Sequence, residues 1–342
     1  MGKYFTEQER YKLEGMLQAG MSKREIARCL NKSLKTIYNE IKRGTCKHLK
    51  SDLTEEYIYM ADVAQRKYDE AKINKGVSNL KIGNDIDFAK FIEQKISVEK
   101  WSPGAVIGYI KTHDLHFTNM VCEKTLYNYV NSGLFLDCSK EDLPMPRKPK
   151  KEKARRKVAL KNKNARSISE RKEEVNNRVE FGHWEMDTVV SGQSGKETLL
   201  VLTERQTRHE LLYKLKGKLQ TEVVDVINGI EKKLGTDTFR NIFKTITMDN
   251  GVEFLDVNGI EKSINYESEK RTETYYCHPY SSWERGSNEN ANKLIRRFIP
   301  KGADISNYSD DDIKMIERWI NNYPRRMFGW LSSNEVIQSL GI

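Results

Sequence analysis

The stretch TMDNGVEF, Thr247 to Phe254, decides how the second half of the chain is read. The apolar run FKTITM leads into Asp249, and Asn250-Gly251 is a turn signal, so the pattern predicts a strand with a carboxylate at its end. Upstream, HWEMDTVV puts Asp187 inside another short apolar run. Downstream, WERGSNENANKLIRRFIPKG puts Glu289 near the start of a helical pattern. Two strand aspartates and a helical glutamate, drawn from distant parts of the chain, form a triad suited to divalent cations.

Working outward, HWEMDTVVS, KETLLVLTERQTR and ELLYKLKG read as three strands of an antiparallel meander. TEVVDVINGIEKKLG is an amphipathic helix with Val223, Val224, Ile227 and Ile230 inward. FKTITMDNG supplies a further strand, TETYYCHPY a short fifth one, and SSWERGSNENANKLIRRFI the following helix. Three strands, helix, strand, helix, strand, helix is the order of an α/β RNase H-like core. The helix before the fifth strand is its one weakly marked element.

Mg²⁺ and Mn²⁺ are hard cations that prefer oxygen ligands and take few carboxylates besides substrate phosphate oxygens. Two such ions ~4 Å apart activate an attacking oxygen and stabilise a leaving one. Asn292, Lys293 and Arg296 follow Glu289 by three, four and seven residues, share its helical face, and are candidate contacts to a DNA backbone beside the metals. Glu284 is a rival third acid, set aside because it precedes the helical segment. Glu185 is a rival to Asp187. It is expected to face the other way, because neighbouring strand residues alternate.

The N-terminal third is helical. Thr6-x-x-Glu9 and Ser22-x-x-Glu25 read as capping boxes. Leu13, Met16 and Leu17, then Ile26, Ala27 and Leu30, then Ile37 and Ile41 form three short apolar faces, broken at Gly20 and stopped at Gly44. Three helices with a tight turn before the third make a helix-turn-helix. Its third helix offers Lys35, Thr36, Tyr38, Asn39, Lys42 and Arg43 to base edges and phosphates. A second helical region is expected from Glu55 to Val130. There WSPGAVIGYIKTH has Ser102 as N-cap and Pro103 at the first helical position. CEKTLYNYVNSG then resembles a second recognition helix, with Lys124, Thr125, Tyr127 and Asn128 as candidate contacts. Trp101, Val106, Ile110, Leu126 and Tyr129 fit a plain core equally well.

Residues 147–166, RKPKKEKARRKVALKNKNAR, hold a single acid, Glu152, and offer almost nothing to bury, so they read as a phosphate-tracking linker. The expected division is 1–50, a helix-turn-helix; 51–143, a second helical DNA-binding region; 144–173, the basic linker; and 174–342, the catalytic core. Across 342 residues the net charge is +10, with 32% charged and 37% hydrophobic residues, a balance that favours a polyanionic partner. Cys29, Cys46, Cys122, Cys138 and Cys277 form no CxxC pair and read as reduced thiols. No apolar run approaches the ~20 residues that span a bilayer. The N-terminus lacks the apolar stretch of a signal peptide, so the expected compartment is the bacterial cytoplasm, with no membrane partner.

VNNRVEFGHWEMDTVVSG, LLVLTERQTR, TMDNGVEF, HPYSSWERGSNENANKLIRRFIPKG and INNYPRRMFGW succeed one another in a familiar order. In them the chain resembles the transposases of the bacterial insertion-sequence family numbered thirty, a group of DDE enzymes. The resemblance extends to MSKREIARCLNKSLKTIYNEIKRG and WSPGAVIG, and so covers almost the whole chain. It implies that Asp187, Asp249 and Glu289 are the acidic triad, holding two Mg²⁺ or Mn²⁺ ions per site. It also implies binding to the element's terminal inverted repeats, hydrolysis that frees a 3′-OH, and attack of that hydroxyl on target DNA without a covalent enzyme intermediate. A circular intermediate with abutted ends and an oligomer, at least a dimer, are implied by the same resemblance. The alternatives are a DNA-binding regulator whose catalytic half is only structural, and a metal-dependent nuclease that cuts without joining. Two features depart from the family: Met186 stands where Gly is usual, and LDVNGIEKSINYESEKRTET lengthens the spacing before the last acid. The latter reads as a surface insertion, because the blocks beside it are intact.

Overall fold

The computed structural model describes residues 5–49, 54–76, 80–83, 85–144, 166–192, 195–266, 268–279, 281, 284 and 286–342. Apart from Arg166, the basic run 147–166 lies outside them. The chain divides into two compact units, residues 1–83 and 84–342.

In the first unit, α1 (Glu7–Gln18), α2 (Lys23–Cys29) and α3 (Leu34–Gly44) form where the sequence places them. Both capping boxes are made, at Thr6/Glu9 and Ser22/Glu25. Leu13, Ile26 and Ile37 are wholly buried, with Met16, Leu17, Ala27, Leu30 and Ile41 packed around them. Beyond α3 the structure departs from the expected helical region. Residues 55–59 are a strand, β2 (Glu55–Tyr59), paired antiparallel with β1 (Thr45–Leu49). Tyr57-Ile58-Tyr59 favours a pleated surface over a helix. The next helix, α4 (Ala61–Gly76), returns onto α1 and α3. Gly44 lies so close to Tyr59 that a Cβ there would collide with the Tyr59 ring. Arg10, itself buried, bonds Glu40 of α3 at 2.7 Å and Gln65 of α4 at 2.7 Å. The N-terminal unit therefore extends to residue 83 rather than 50.

The second unit opens with α5 (Ile86–Glu93), which runs into a π-helical turn at Gln94–Val98. Two helices come next, α6 (Pro103–Thr112), capped by Ser102 as expected, and α7 (Glu123–Asn131). These helices belong with the sheet domain rather than standing apart. A Cβ on Gly108 would collide with the Trp330 ring, so WSPGAVIG is shaped to seat that indole. Ser102 shares a hydrogen bond of 2.9 Å with Tyr323, and His113 one of 2.7 Å with Glu335. Arg326 pairs with Glu123.

After the short α8 (Glu173–Asn177) comes one mixed five-stranded sheet. Its strands are β3 (His183–Val190), β4 (Thr198–Glu204), β5 (Glu210–Leu215), β6 (Thr245–Met248) and β7 (Glu273–Tyr276). The spatial order is β5-β4-β3-β6-β7. The first three pair antiparallel, while β6 and β7 run parallel to β3. On one face, Trp184, Met186, Leu200, Leu202, Ile246 and Met248 pack against α9 (Gln220–Leu234) and α10 (Thr236–Ile242). Val223, Ile227 and Ile230 point inward as the periodicity predicts; α10 is an element the sequence pattern does not mark. The other face carries α12 (Gly286–Ile295) and α13 (Asp310–Asn322), and α14 (Ser333–Leu340) packs on α13. The exposed edge of β5 is blunted by side chains of α13. Asn321 accepts from the Glu210 amide at 2.8 Å and Glu317 from the Leu212 amide at 2.6 Å.

The long segment before the last acid is the weakly marked helix, α11 (Val257–Glu261), with its flanking turns. It is pinned beside α9. Arg271 donates to Glu231 at 2.9 Å, to Asn228 at 2.7 Å and to the carbonyls of Ile260 and Gly259 at 2.9 and 2.7 Å.

Glu210 is wholly buried, and desolvation pushes its carboxyl up to about 8 despite the nearby Arg325 guanidinium. Its neighbour His209 is pushed down to about 4, first by burial and then by Arg325. Between about 4.5 and 8 the folded state keeps a proton on Glu210 that the unfolded chain releases, so stability falls as pH rises through that window. His209 acts oppositely between about 4 and 6.5, where the unfolded chain binds the extra proton. From pH 6.5 to 8 the Glu210 contribution is no longer offset by its neighbour. Glu210→Gln is expected to remove a loss of ~2 kcal/mol across that interval. Urea unfolding of both proteins at the two pH values measures it; an equal fall in the variant would refute the assignment.

Candidate active site

The sheet sets side by side the two strands that lead to the predicted aspartates. In the parallel register Glu185 pairs with Thr247; Asp187 follows two residues further along β3, and Asp249 lies just past Met248, the last residue of β6. Side chains repeat every second residue, so Asp187 shares with Glu185 the face covered by α12. Asn250 anchors the end of β6 by donating to the Cys277 carbonyl at 2.8 Å, and the Gly251 amide donates to Asp249 Oδ1 at 2.9 Å.

Helix α12 lies across β3 and β4 because Ser287, Asn288, Ala291, Leu294 and Ile295 are buried on one side of it. Asn292, on the adjoining face, donates its amide to Asp187 Oδ2 at 2.9 Å. Glu289 is one turn earlier on that face, 71% exposed, and pairs with Lys293 at 3.1 Å. Among the described residues, no three His, Cys, Asp or Glu side chains stand close enough to hold a metal ion. The three predicted acids therefore do not meet: Glu289 is turned toward its own lysine, away from the two aspartates.

The expectation for Glu185 fails on the geometry of a strand. Residues 185 and 187 are two apart and share a face. Glu185 is completely buried, accepts from Ser287 Oγ at 3.1 Å and from the Asn288 amide at 3.3 Å, and lies 3.3 Å from Arg205. It holds the first turn of α12 against the sheet, two residues before Glu289. Glu284 sits in the loop before α12, where it accepts from the His278 amide at 2.9 Å and shares a hydrogen bond of 2.7 Å with the His278 ring. Of the three basic or amide candidates, Asn292 serves Asp187 and Lys293 is exposed beside Glu289. Arg296 bonds the Pro300 carbonyl at 3.1 Å, its guanidinium pKa lowered by burial.

On the recognition helix, Lys35, Tyr38, Asn39 and Lys42 are exposed. Thr36 is drawn into the cap, 2.7 Å from Ser33 Oγ, and Arg43 pairs with Glu40. On α7, Lys124 and Asn128 are exposed and Thr125 is partly buried. Tyr127 is half-buried, which raises its pKa, and Arg297, Tyr323 and Arg326 lie near it, so it faces protein. Among the described residues none of the five cysteines is joined in a disulfide. No helix among the described residues is long and apolar enough to cross a membrane.

A helix-turn-helix domain family matches residues 1–44. Over 99% of its length the chain is 32% identical to the transposase for insertion sequence element IS4351 of Bacteroides fragilis, covering 97% of that protein. The chain belongs to the insertion-sequence transposases. The InsI transposase for element IS30A of Escherichia coli is 26% identical over 98% of this chain and 83% of its own. That for element IS1086 of Cupriavidus metallidurans is 32% identical over half of this chain and 47% of its own. The transposase thus joins a helix-turn-helix DNA-binding domain to a mixed α/β sheet domain.

Proposed function

We propose that this transposase is a DDE enzyme of the insertion-sequence family numbered thirty, with an RNase H-like core. Its N-terminal helices bind the terminal inverted repeats of its own element, and Asp187, Asp249 and Glu289 act on the DNA strand at the element end. The observation that carries this reading is the pairing of β3, which holds Asp187, with β6, which ends one residue before Asp249, beneath a helix whose Asn292 bonds Asp187. The strand order, with an antiparallel meander flanked by two parallel strands, agrees with the proposed core.

The donor set suits Mg²⁺ or Mn²⁺. It consists of oxygens alone, and the Asn292 carbonyl oxygen beside Asp187 is buried without a hydrogen-bond partner. Asp187, Asp249 and Glu289 would hold two such ions, with Glu289 turning inward from Lys293 about its own exposed side chain. When bound, the ions supply activation of an attacking oxygen and stabilisation of a leaving one. The chain's own part is positional. The sheet fixes Asp187, the turn after β6 fixes Asp249, Glu185 and Arg205 fix the start of α12, and Lys293 is exposed beside Glu289. Hydrolysis at the element end frees a 3′-OH, and attack of that hydroxyl on target DNA joins the strands. Two ends held together call for at least a dimer.

The test is incubation of the full chain with DNA carrying the element's ends in Mg²⁺, Mn²⁺ or Ca²⁺. Cleavage followed by joining in the first two, with binding but little chemistry in Ca²⁺, is expected. Binding without cleavage would make the protein a regulator, and cleavage without joining a nuclease. Asn39→Ala is expected to weaken binding to the terminal repeats by ~1–3 kcal/mol and to relax base preference. A competition shift assay against scrambled DNA reads this, and an unchanged preference would remove Asn39 from the base-reading set.

A further inference from the structure

A carboxylate outside the proposed triad lies at the same strand end. Glu253 belongs to the 3-10 turn Val252–Phe254, directly after the Asn250-Gly251 turn. Its side chain is only 2% exposed. One oxygen, Oε1, accepts from Thr188 Oγ1 at 2.7 Å and lies 3.1 Å from the Lys218 ammonium. The other, Oε2, is buried and has no hydrogen-bond partner. A buried carboxylate oxygen without a donor is expensive, because it has lost its water and gained nothing in return.

Gly251 shows where that oxygen points. A Cβ placed on Gly251 would stand 2.6 Å from Glu253 Oε2 and 2.9 Å from Asp249 Oδ1. The backbone does not require glycine there, since φ is −62°. A side chain there would instead crowd the space beside two acidic oxygens. Oε1 is meanwhile tied to Thr188, the residue after Asp187, so Glu253 is locked to both strands that carry the aspartates.

We propose that Glu253 is a fourth acidic member of the cation site, its Oε2 joining Asp249 Oδ1 in the coordination sphere of a divalent ion. This rests on the reading of Asp187 and Asp249 as the cation-binding pair. The Thr188 hydroxyl holds Oε1, which leaves Oε2 as the oxygen offered to the ion.

The experiment is calorimetric titration of the full chain, without DNA, with Mn²⁺ alone. It compares wild type with Glu253→Gln, Gly251→Ala, Lys218→Gln and Asp249→Asn. Glu253→Gln, which keeps the shape and the Thr188 contact, should weaken Mn²⁺ binding at least tenfold. Gly251→Ala, which leaves the carboxylate in place and fills the gap, should do the same. Lys218→Gln should stay within threefold of wild type. The metal-free melting temperature of Glu253→Gln should equal or exceed that of wild type, since the change removes a buried charge beside Asp249. Wild-type affinity in Glu253→Gln together with lost affinity in Asp249→Asn overturns the proposal and leaves the triad reading standing. Wild-type affinity in Asp249→Asn overturns the triad reading itself, and this proposal with it. An equal loss in Lys218→Gln would show that Glu253 merely holds the lysine, and also overturns it.

Discussion

Asp187→Asn and Asp249→Asn should each abolish cleavage and joining of element-end DNA, by on the order of 10³-fold or more, while binding to that DNA survives. Each substitution keeps the size and much of the hydrogen bonding of the side chain. The amide oxygen introduced at position 187 can still accept from Asn292, and the one at position 249 can still accept from the Gly251 amide. What disappears is the negative charge that draws a divalent cation to the middle of β3 and the end of β6. Glu289→Gln should behave alike, although Glu289 pairs with Lys293 and not with the aspartates. Glu284→Gln is the control, because Glu284 is engaged with His278 in the loop before α12. Single-turnover cleavage and strand-transfer assays on the same DNA read both steps. If Glu284→Gln loses strand transfer and Glu289→Gln retains it, the third acid is misassigned. If all three triad variants stay active, the two-metal mechanism is wrong for this protein.

Arg271→Ala should destabilise the second unit by about 3–5 kcal/mol. Arg271 and Glu231 are both wholly buried, and their pair is surrounded by Asn228, Ser263, Thr236 and two backbone carbonyls. Removing the guanidinium strands the Glu231 charge and leaves the Gly259 and Ile260 carbonyls without that donor. The residues that lengthen the spacing before Glu289 should then loosen from α9, and β7, which comes directly after them, should lose support. The midpoint of denaturant unfolding measures the effect. A variant with the wild-type midpoint would mean that this buried pair contributes nothing to holding the segment. Because α11 packs on α9, strand transfer per folded molecule should stay within a few-fold of wild type.

Much of the architecture can be read along the chain. Thr6, Ser22 and Ser102 cap helices because a hydroxyl three residues ahead of an amide is a local relation. Val223, Ile227 and Ile230 face inward because a period of 3.6 residues survives any tertiary setting. The same holds for Asp249, placed by an apolar run and an Asn-Gly turn. Glu55–Tyr59 reads wrongly as helix because the mixed charge and apolar residues there carry no clear period. Packing of Tyr59 onto Gly44 settles it as a strand and moves the end of the N-terminal unit to residue 83.

The proposed site can be named from the sequence as a set of residues, but not as a set of contacts. The sequence alone determined the two aspartate strands, the helix bearing Glu289, the helix-turn-helix and the basic balance, since each is written in spacings of a few residues. Tertiary structure decided which polar side chains are already committed. Asp187 meets Asn292 across more than a hundred residues, Glu185 holds the start of α12, and Arg43, Thr36, Tyr127 and Arg296 turn toward protein. Glu253 stands in plain view in TMDNGVEF. Its unpartnered oxygen arises from how the turn after β6 folds back against Thr188 and Lys218. A carboxylate's sequence neighbours fix the element it rides on; the groups that neutralise it come from the sheet register and from helices packed across it.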